Sequence, residues 1–280
     1  MGTIIGGHIS LESIMKSRSR KILHIYFDKL RLETVKRSDF HFPEKKQYER
    51  ITEFASKYSV PISYLTDSEF AELTGGESFG GIAAEVGERT YSDFRTVISE
   101  NKNGYFVLLD GIEDPFNFGY VLRTLYTAGV DGVFLPERNF LSAASTVIRS
   151  SAGTSELLNI ASYNDVDELF AFLKENGIFI VATAKTNEST DIFAASFKRP
   201  LCVVIGGEKR GISVEIVKLP RKTVSKYADK TVSIVYPRDT GISLSASSAA
   251  AIIAYQVANR LDSPPRKPNY SNRGAGRRPR

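Results

Sequence analysis

A single cysteine among 280 residues excludes an internal disulfide and, with it, any disulfide-scaffold fold. That residue, Cys202, sits in the apolar run Leu201-Cys202-Val203-Val204-Ile205, a setting for a buried thiol rather than a nucleophile. No apolar run approaches the roughly 20 residues a helix needs to cross a bilayer. The N-terminus also lacks the charged, then apolar, then small-residue order of a secretory leader. A cytoplasmic protein with no membrane partner is therefore expected. Internal repeats and sustained heptads are missing too, which removes solenoids and coiled coils.

What remains is an ordinary globular composition. Apolar residues at 42% and charged residues at 25% exclude a wholly disordered or collagen-like chain. The length exceeds one typical domain, so two domains and a tail are expected. The net charge of +5 is unevenly spread, and a local basic excess concentrates polyanions such as RNA.

Residues 1–86 mix short apolar strands, 22–27, 62–65 and 81–86, with an amphipathic helix over 44–58, and read as a small α/β domain. Lys16, Arg18, Arg20 and Lys21 precede its first strand and Lys29, Arg31, Lys36 and Arg37 follow it. One end of this domain is thus basic, serving either RNA or plain solvation. Residues 87–103 read as a linker. Residues 104–262 then alternate strands at 105–110, 132–135, 178–183, 201–205 and 232–236 with helices over 117–128, 143–149, 166–176 and 245–260. This is the pattern of a mostly parallel sheet with helices on both faces. Residues 263–280, rich in Pro, Gly, Ser and Arg, form a basic tail expected to be disordered.

Open parallel sheets bind ligands at the carboxyl ends of their strands, and three of the loops there are distinctive. The first runs from Asp110 through Asp114 and Pro115 into a helix bearing Asn117, Gly119, Arg123 and Thr124. Asn117 is a candidate N-cap, and Arg123 is placed to hold a phosphate or a carboxylate. The second, Gly206-Gly207-Glu208-Lys209-Arg210-Gly211, has neither the lysine placement of a P-loop nor G-x-G-x-x-G spacing. It is a bare backbone that can lie against an adenosine-type cofactor, with Glu208 as its carboxylate. The third runs from Tyr236 through Ser243, Leu244 and Ser245 into a helix of alanines and serines. Ser243 or Ser245 is its candidate cap.

In order, these loops resemble the three signature motifs of the SpoU/TrmH family of SPOUT methyltransferases. The family pattern is Asn-x-Gly-x-x-x-Arg-Thr, then Gly-Gly-Glu-x-x-Gly, then Ser-Leu-Asn before an alanine-rich helix. Ser151-Ala152-Gly153 adds a further match, and the resemblance spans roughly residues 105–260. The N-terminal domain more loosely resembles the ribosomal-protein-like RNA-binding domain found ahead of many members.

The resemblance implies a trefoil knot in the C-terminal part of the catalytic domain, an exception to the un-knotted rule. It also implies a homodimer through the terminal helix, with S-adenosylmethionine as the cofactor and RNA, ribosomal by analogy, as the substrate. Neither DNA nor a metal is implied. By position, Thr183, Ala184, Gly206 and Gly207 would line the cofactor pocket, joined by Glu208, Tyr236, Ser243 and Leu244. Asn117, Arg123, Glu208 and Ser245 would face the reacting ribose. Because guanidinium stays protonated, Arg123 is read as a phosphate clamp and stabiliser of the developing alkoxide, with general-base duty as the alternative. Ser245 replaces the family's asparagine. That departure keeps open an RNA-binding or ribosome-assembly factor without turnover, beside the third possibility of a base methylase.

Overall fold

A computed structural model of the chain describes residues 2–37, 43–137, 143–207, 211–212, 227–238, 241 and 243–261. The tail 263–280 and the loop residues Glu208, Lys209 and Arg210 lie outside the described residues.

The N-terminal part comprises β1 (Thr3–Gly6), α1 (His8–Ser17), β2 (Arg20–Asp28), α2 (Lys29–Arg37), α3 (Pro43–Tyr58), β3 (Ile62–Leu65), α4 (Asp67–Thr74) and β4 (Ile82–Arg89). Its strands form one mixed sheet, β1-β4-β2-β3, with β4 antiparallel to both neighbours and β2 parallel to β3. Alternation along β2 turns Ile25 and Phe27 into a core that also takes Ile51 and Ala55, one turn apart on α3.

The second part comprises β5 (Ser92–Asp93), α5 (Phe94–Glu100), β6 (Tyr105–Asp110), α6 (Pro115–Thr127), β7 (Gly132–Pro136), α7 (Ala144–Ser150) and α8 (Thr154–Leu157). It continues with β8 (Ile160–Tyr163), α9 (Val166–Glu175), β9 (Phe179–Thr183), β10 (Thr190–Asp191), β11 (Leu201–Gly206), β12 (Lys230–Ser233) and α10 (Ala246–Arg260). The strands make one sheet, β10-β12-β9-β11-β6-β7-β8-β5, in which every pairing is parallel.

Both faces of this sheet are covered, which is why its central strands are continuously apolar. On β6, Tyr105, Val107 and Leu109 face the cluster built with α6 and α10. Phe106 and Leu108 face the cluster built with α5 and α9. Cys202 belongs to the second cluster, and burial pushes its thiol well above the ordinary range, so it stays protonated and inert.

Four local features differ from the sequence expectation. Residues 87–103 carry the end of β4, the edge strand β5 and helix α5. Phe94, Val97 and Ile98 in that otherwise polar stretch share one helix face and anchor it on the sheet. Helix α6 starts at Pro115, not Asn117, because Asp114 caps it by accepting the Asn117 N–H at 2.7 Å and proline suits the first helical position. The last strand spans 230–233 rather than 232–236, leaving Tyr236 in the loop beyond it. Helix α10 begins at Ala246, with Ser245 as its cap.

The two sheets are joined through α7 and α8. Ile148 of α7 sits in the N-terminal core. Beside it the buried carboxylate of Glu156 accepts from Ser19 Oγ at 2.5 Å and Arg20 Nε at 3.2 Å, and pairs with Arg89 at 3.3 Å. Arg89 also donates to the carbonyls of Ser155 and, at 2.9 Å, Leu158. Helices α6 and α7 approach so closely at Gly119 that a Cβ there would lie 1.9 Å from Ser150 Oγ and 2.9 Å from Val147 O.

Candidate active site at the strand carboxyl ends

The carboxyl ends of β9, β11 and β12 surround a cavity of about 390 Å³, with the first turns of α10 as its remaining wall. Thr183 and Ala184 leave β9, Gly206 and Gly207 finish β11, and Tyr236 follows β12. Ser243 and Leu244 lead into α10. All of these residues line the one cavity, so the structure brings together the expected cofactor-lining positions that it describes. Glu208 lies outside the described residues.

The glycine turn has its residue types for a local reason. A Cβ on Gly207 would lie 2.0 Å from Gly111 O, and one on Gly206 would lie 2.3 Å from Gly211 C. Only bare backbone lets the turn after β11 fold on itself and against the turn after β6. Gly207 and Gly211 exchange backbone hydrogen bonds at 3.2 and 3.0 Å, which closes that fold.

Other bonds set the remaining walls. Thr183 Oγ1 donates to Val204 O at 2.8 Å, tying the end of β9 to β11. The Leu244 N–H donates to the Tyr236 hydroxyl at 3.3 Å, so the aromatic ring braces the chain just before α10. Sequence reading missed Lys185, Ile192, Ser233, Ala246, Ala249 and Ile253, which also line the cavity. Ala246, Ala249 and Ile253 recur at the three- and four-residue spacing of one helix face. That periodicity was a usable signal for the wall, although not for what it encloses.

The expected ribose-facing residues are placed less uniformly. Ser245 spends its hydroxyl on the cap of α10, accepting the Ser248 N–H at 3.2 Å and donating to Ser248 Oγ at 2.9 Å. Ser247, not Ser245, reaches α6, where its hydroxyl donates to Asn117 Oδ1 at 3.3 Å. Asn117 thus stands beside the α10 turn that borders the cavity. Arg123 lies on the exposed face of α6, away from the cavity lining and without a side-chain partner among the described residues. Phe116 and Tyr120 precede it on that face, 49% and 48% exposed. Among the described residues no cluster of side chains suits a metal ion.

Comparison with known proteins places this arrangement. The SpoU rRNA methylase family profile matches residues 104–255. A TrmH family tRNA/rRNA methyltransferase of Staphylococcus saprophyticus is 30% identical over 218 residues, covering 76% of this chain and 83% of the relative. The TrmH family tRNA/rRNA methyltransferase YacO of Bacillus subtilis is 26% identical over 217 residues, with coverage of 76% and 83%.

Among solved structures, the AdoMet-bound rRNA methyltransferase of Sinorhizobium meliloti superposes with a TM-score of 0.71. It is 19% identical, with 92% of this chain and 86% of that one covered. The SpoU methyltransferase AviRb of Streptomyces viridochromogenes, in complex with AdoMet, gives 0.68 at 19% identity, with coverage of 91% and 89%. The structural likeness establishes a shared α/β fold, and the sequence matches go further: this chain belongs to the SpoU rRNA methylase family.

Proposed function

We propose that this protein transfers a methyl group from S-adenosylmethionine to a ribose 2′-hydroxyl of RNA, with ribosomal RNA as the substrate. One observation carries the reading: in a chain of this family, residues from three separate strand ends and from the start of α10 meet around a single cavity. Its size lies within the usual range for small-ligand sites. Ile205, Ile234, Leu244 and Ile253 offer an apolar bed for an aromatic base, while Ser233, Ser243 and Tyr236 offer hydroxyls. These residues therefore suit S-adenosylmethionine, which supplies an electrophilic methyl group.

The chain's own residues have two tasks, to hold the nucleophile in line and to stabilise charge as its proton leaves. Asn117, fixed by Ser247 at the edge of the cavity, orients the ribose. Arg123 clamps the neighbouring phosphate and stabilises the developing alkoxide. Its fixed positive charge suits both roles and not that of a base. Glu208 orients the ribose or Arg123.

The N-terminal domain presents the RNA, supported by the exposed Lys16, Arg18, Lys21 and Lys29. The protein acts as a homodimer through α10, which carries Tyr255, 51% exposed, and packs on α6 with its exposed Phe116 and Tyr120. Apolar faces of this kind are usual at subunit contacts. The C-terminal part of the catalytic domain is knotted, in keeping with the insertion of β12 between β9 and β10.

The test is transfer of labelled methyl to total RNA from a strain lacking the protein, followed by nucleoside analysis. A 2′-O-methyl product in ribosomal RNA is expected. A methylated base would replace the ribose assignment. Tight RNA binding without transfer would favour the assembly-factor reading, to which the commitment of Ser245 to a helix cap lends support.

A further inference from the structure

We propose that Lys185 is the cation that holds the carboxylate of the cofactor's amino-acid arm, and so fixes which way round the cofactor lies. The proposal rests on reading the cavity as the S-adenosylmethionine site, and it concerns a residue that the signature motifs leave out.

Lys185 is the one charged side chain among the described residues lining the cavity. It has no ion pair or hydrogen bond of its own among the described residues. Neither Glu188 nor Asp191, the acids that follow it in sequence, forms an ion pair with it among the described residues; Asp191 accepts the Phe193 N–H at 3.1 Å. The backbone around Lys185 is nevertheless held in place. Ser189 Oγ donates to Ala184 O at 2.5 Å and accepts the Thr186 N–H at 3.0 Å, so both neighbours of Lys185 are pinned by one hydroxyl. Lys185 is exposed and lies on the cavity lining, so the pinned loop sets an ammonium with no partner among the described residues at the mouth of the cavity, where an anion would meet it.

The cofactor's chemistry supplies it. Its amino-acid arm ends in a carboxylate, and a carboxylate taken from water into such a cavity is costly unless it meets a donor of opposite charge. The other polar side chains on the described lining, Thr183, Ser233, Tyr236 and Ser243, are neutral hydroxyls, and Thr183 already donates its proton to Val204 O, so Lys185 alone among them offers a charge. The cofactor also carries a positive sulfonium, which an ammonium repels. The arm's α-ammonium carries the same charge as the sulfonium, so Lys185 favours the orientation in which the carboxylate oxygens, rather than either cation, face it. The lysine stem reaches over apolar wall while its head meets the charge.

Calorimetry separates the proposal from the reading beneath it. Wild type, Lys185→Met and Lys185→Arg are titrated with S-adenosylmethionine and with 5′-methylthioadenosine, which keeps the nucleoside and lacks the carboxylate, the α-ammonium and the sulfonium charge. Lys185→Met is expected to weaken S-adenosylmethionine about tenfold, the scale of one charge-assisted hydrogen bond. Its affinity for 5′-methylthioadenosine should match wild type, which also certifies the variant's fold. Lys185→Arg should recover most of the loss. Equal weakening of both ligands, or of neither, overturns the assignment. If wild type binds neither ligand, the cavity is not the cofactor site and the reading itself fails.

Discussion

Ser247 Oγ donates to Asn117 Oδ1 at 3.3 Å, joining residues 130 positions apart and linking the first turn of α6 to the first turn of α10. Two helices that cross the same sheet face are thereby locked at the edge of the cavity. Ser247→Ala should cost about 0.5–1.5 kcal/mol of stability, the net worth of one hydrogen bond. If the bond orients Asn117 for the ribose, turnover should fall several-fold while cofactor affinity stays unchanged. Methyl-transfer kinetics beside calorimetry read both quantities.

Ser245→Asn restores the residue of the family pattern at a position the structure shows to be a helix cap. Asparagine caps as well as serine does, so unfolding should shift by less than about 0.5 kcal/mol. A gain in turnover would show that the serine limits chemistry. An unchanged rate would show that position 245 serves only as the helix cap.

Arg123→Ala should lower methyl transfer about a hundredfold or more, the scale of losing one group that stabilises transition-state charge. The residue lies off the cavity lining, so S-adenosylmethionine affinity should be untouched. Near-normal turnover in this variant would remove Arg123 from the chemistry.

Glu156→Ala should destabilise the protein by roughly 3–5 kcal/mol, because it strands the buried guanidinium groups of Arg20 and Arg89 without their shared partner. Denaturant unfolding followed by tyrosine fluorescence measures the loss. A change below about 1 kcal/mol, the size typical of exposed pairs, would show that water reaches the cluster.

Gly207→Ala puts a Cβ 2.0 Å from Gly111 O, against backbone that cannot swing aside. The cavity wall must move, so cofactor affinity should drop, with a stability cost of about 1–3 kcal/mol. Gly87→Ala, where the nearest atom would be 3.7 Å away, is the matched control and should bind normally.

How far the sequence could be read depends on the range of the forces involved. The apolar runs Tyr105–Asp110 and Leu201–Gly206 announced central strands, because burial on both faces writes itself into consecutive residues. The cap of α6 was misassigned. Asn117 and Asp114 are both good capping residues, and Pro115, which suits the first helical position, was the sequence signal that favours Asp114. Helix α5 was hidden because Phe94, Val97 and Ile98 are three apolar residues in a polar stretch, legible only beside the sheet they cover.

By itself the sequence determined the mostly parallel α/β class and the motifs that mark the family, since strand burial and glycine turns are local demands written residue by residue. The tertiary structure alone decided that Ser247 rather than Ser245 meets Asn117, that Arg123 lies off the cavity lining, and that Lys185 lines that cavity. It also decided that Glu156 joins the two sheets. Those relations connect residues far apart in the chain, and the packing of strands and helices brings them together while no pattern along the sequence records the distance between them.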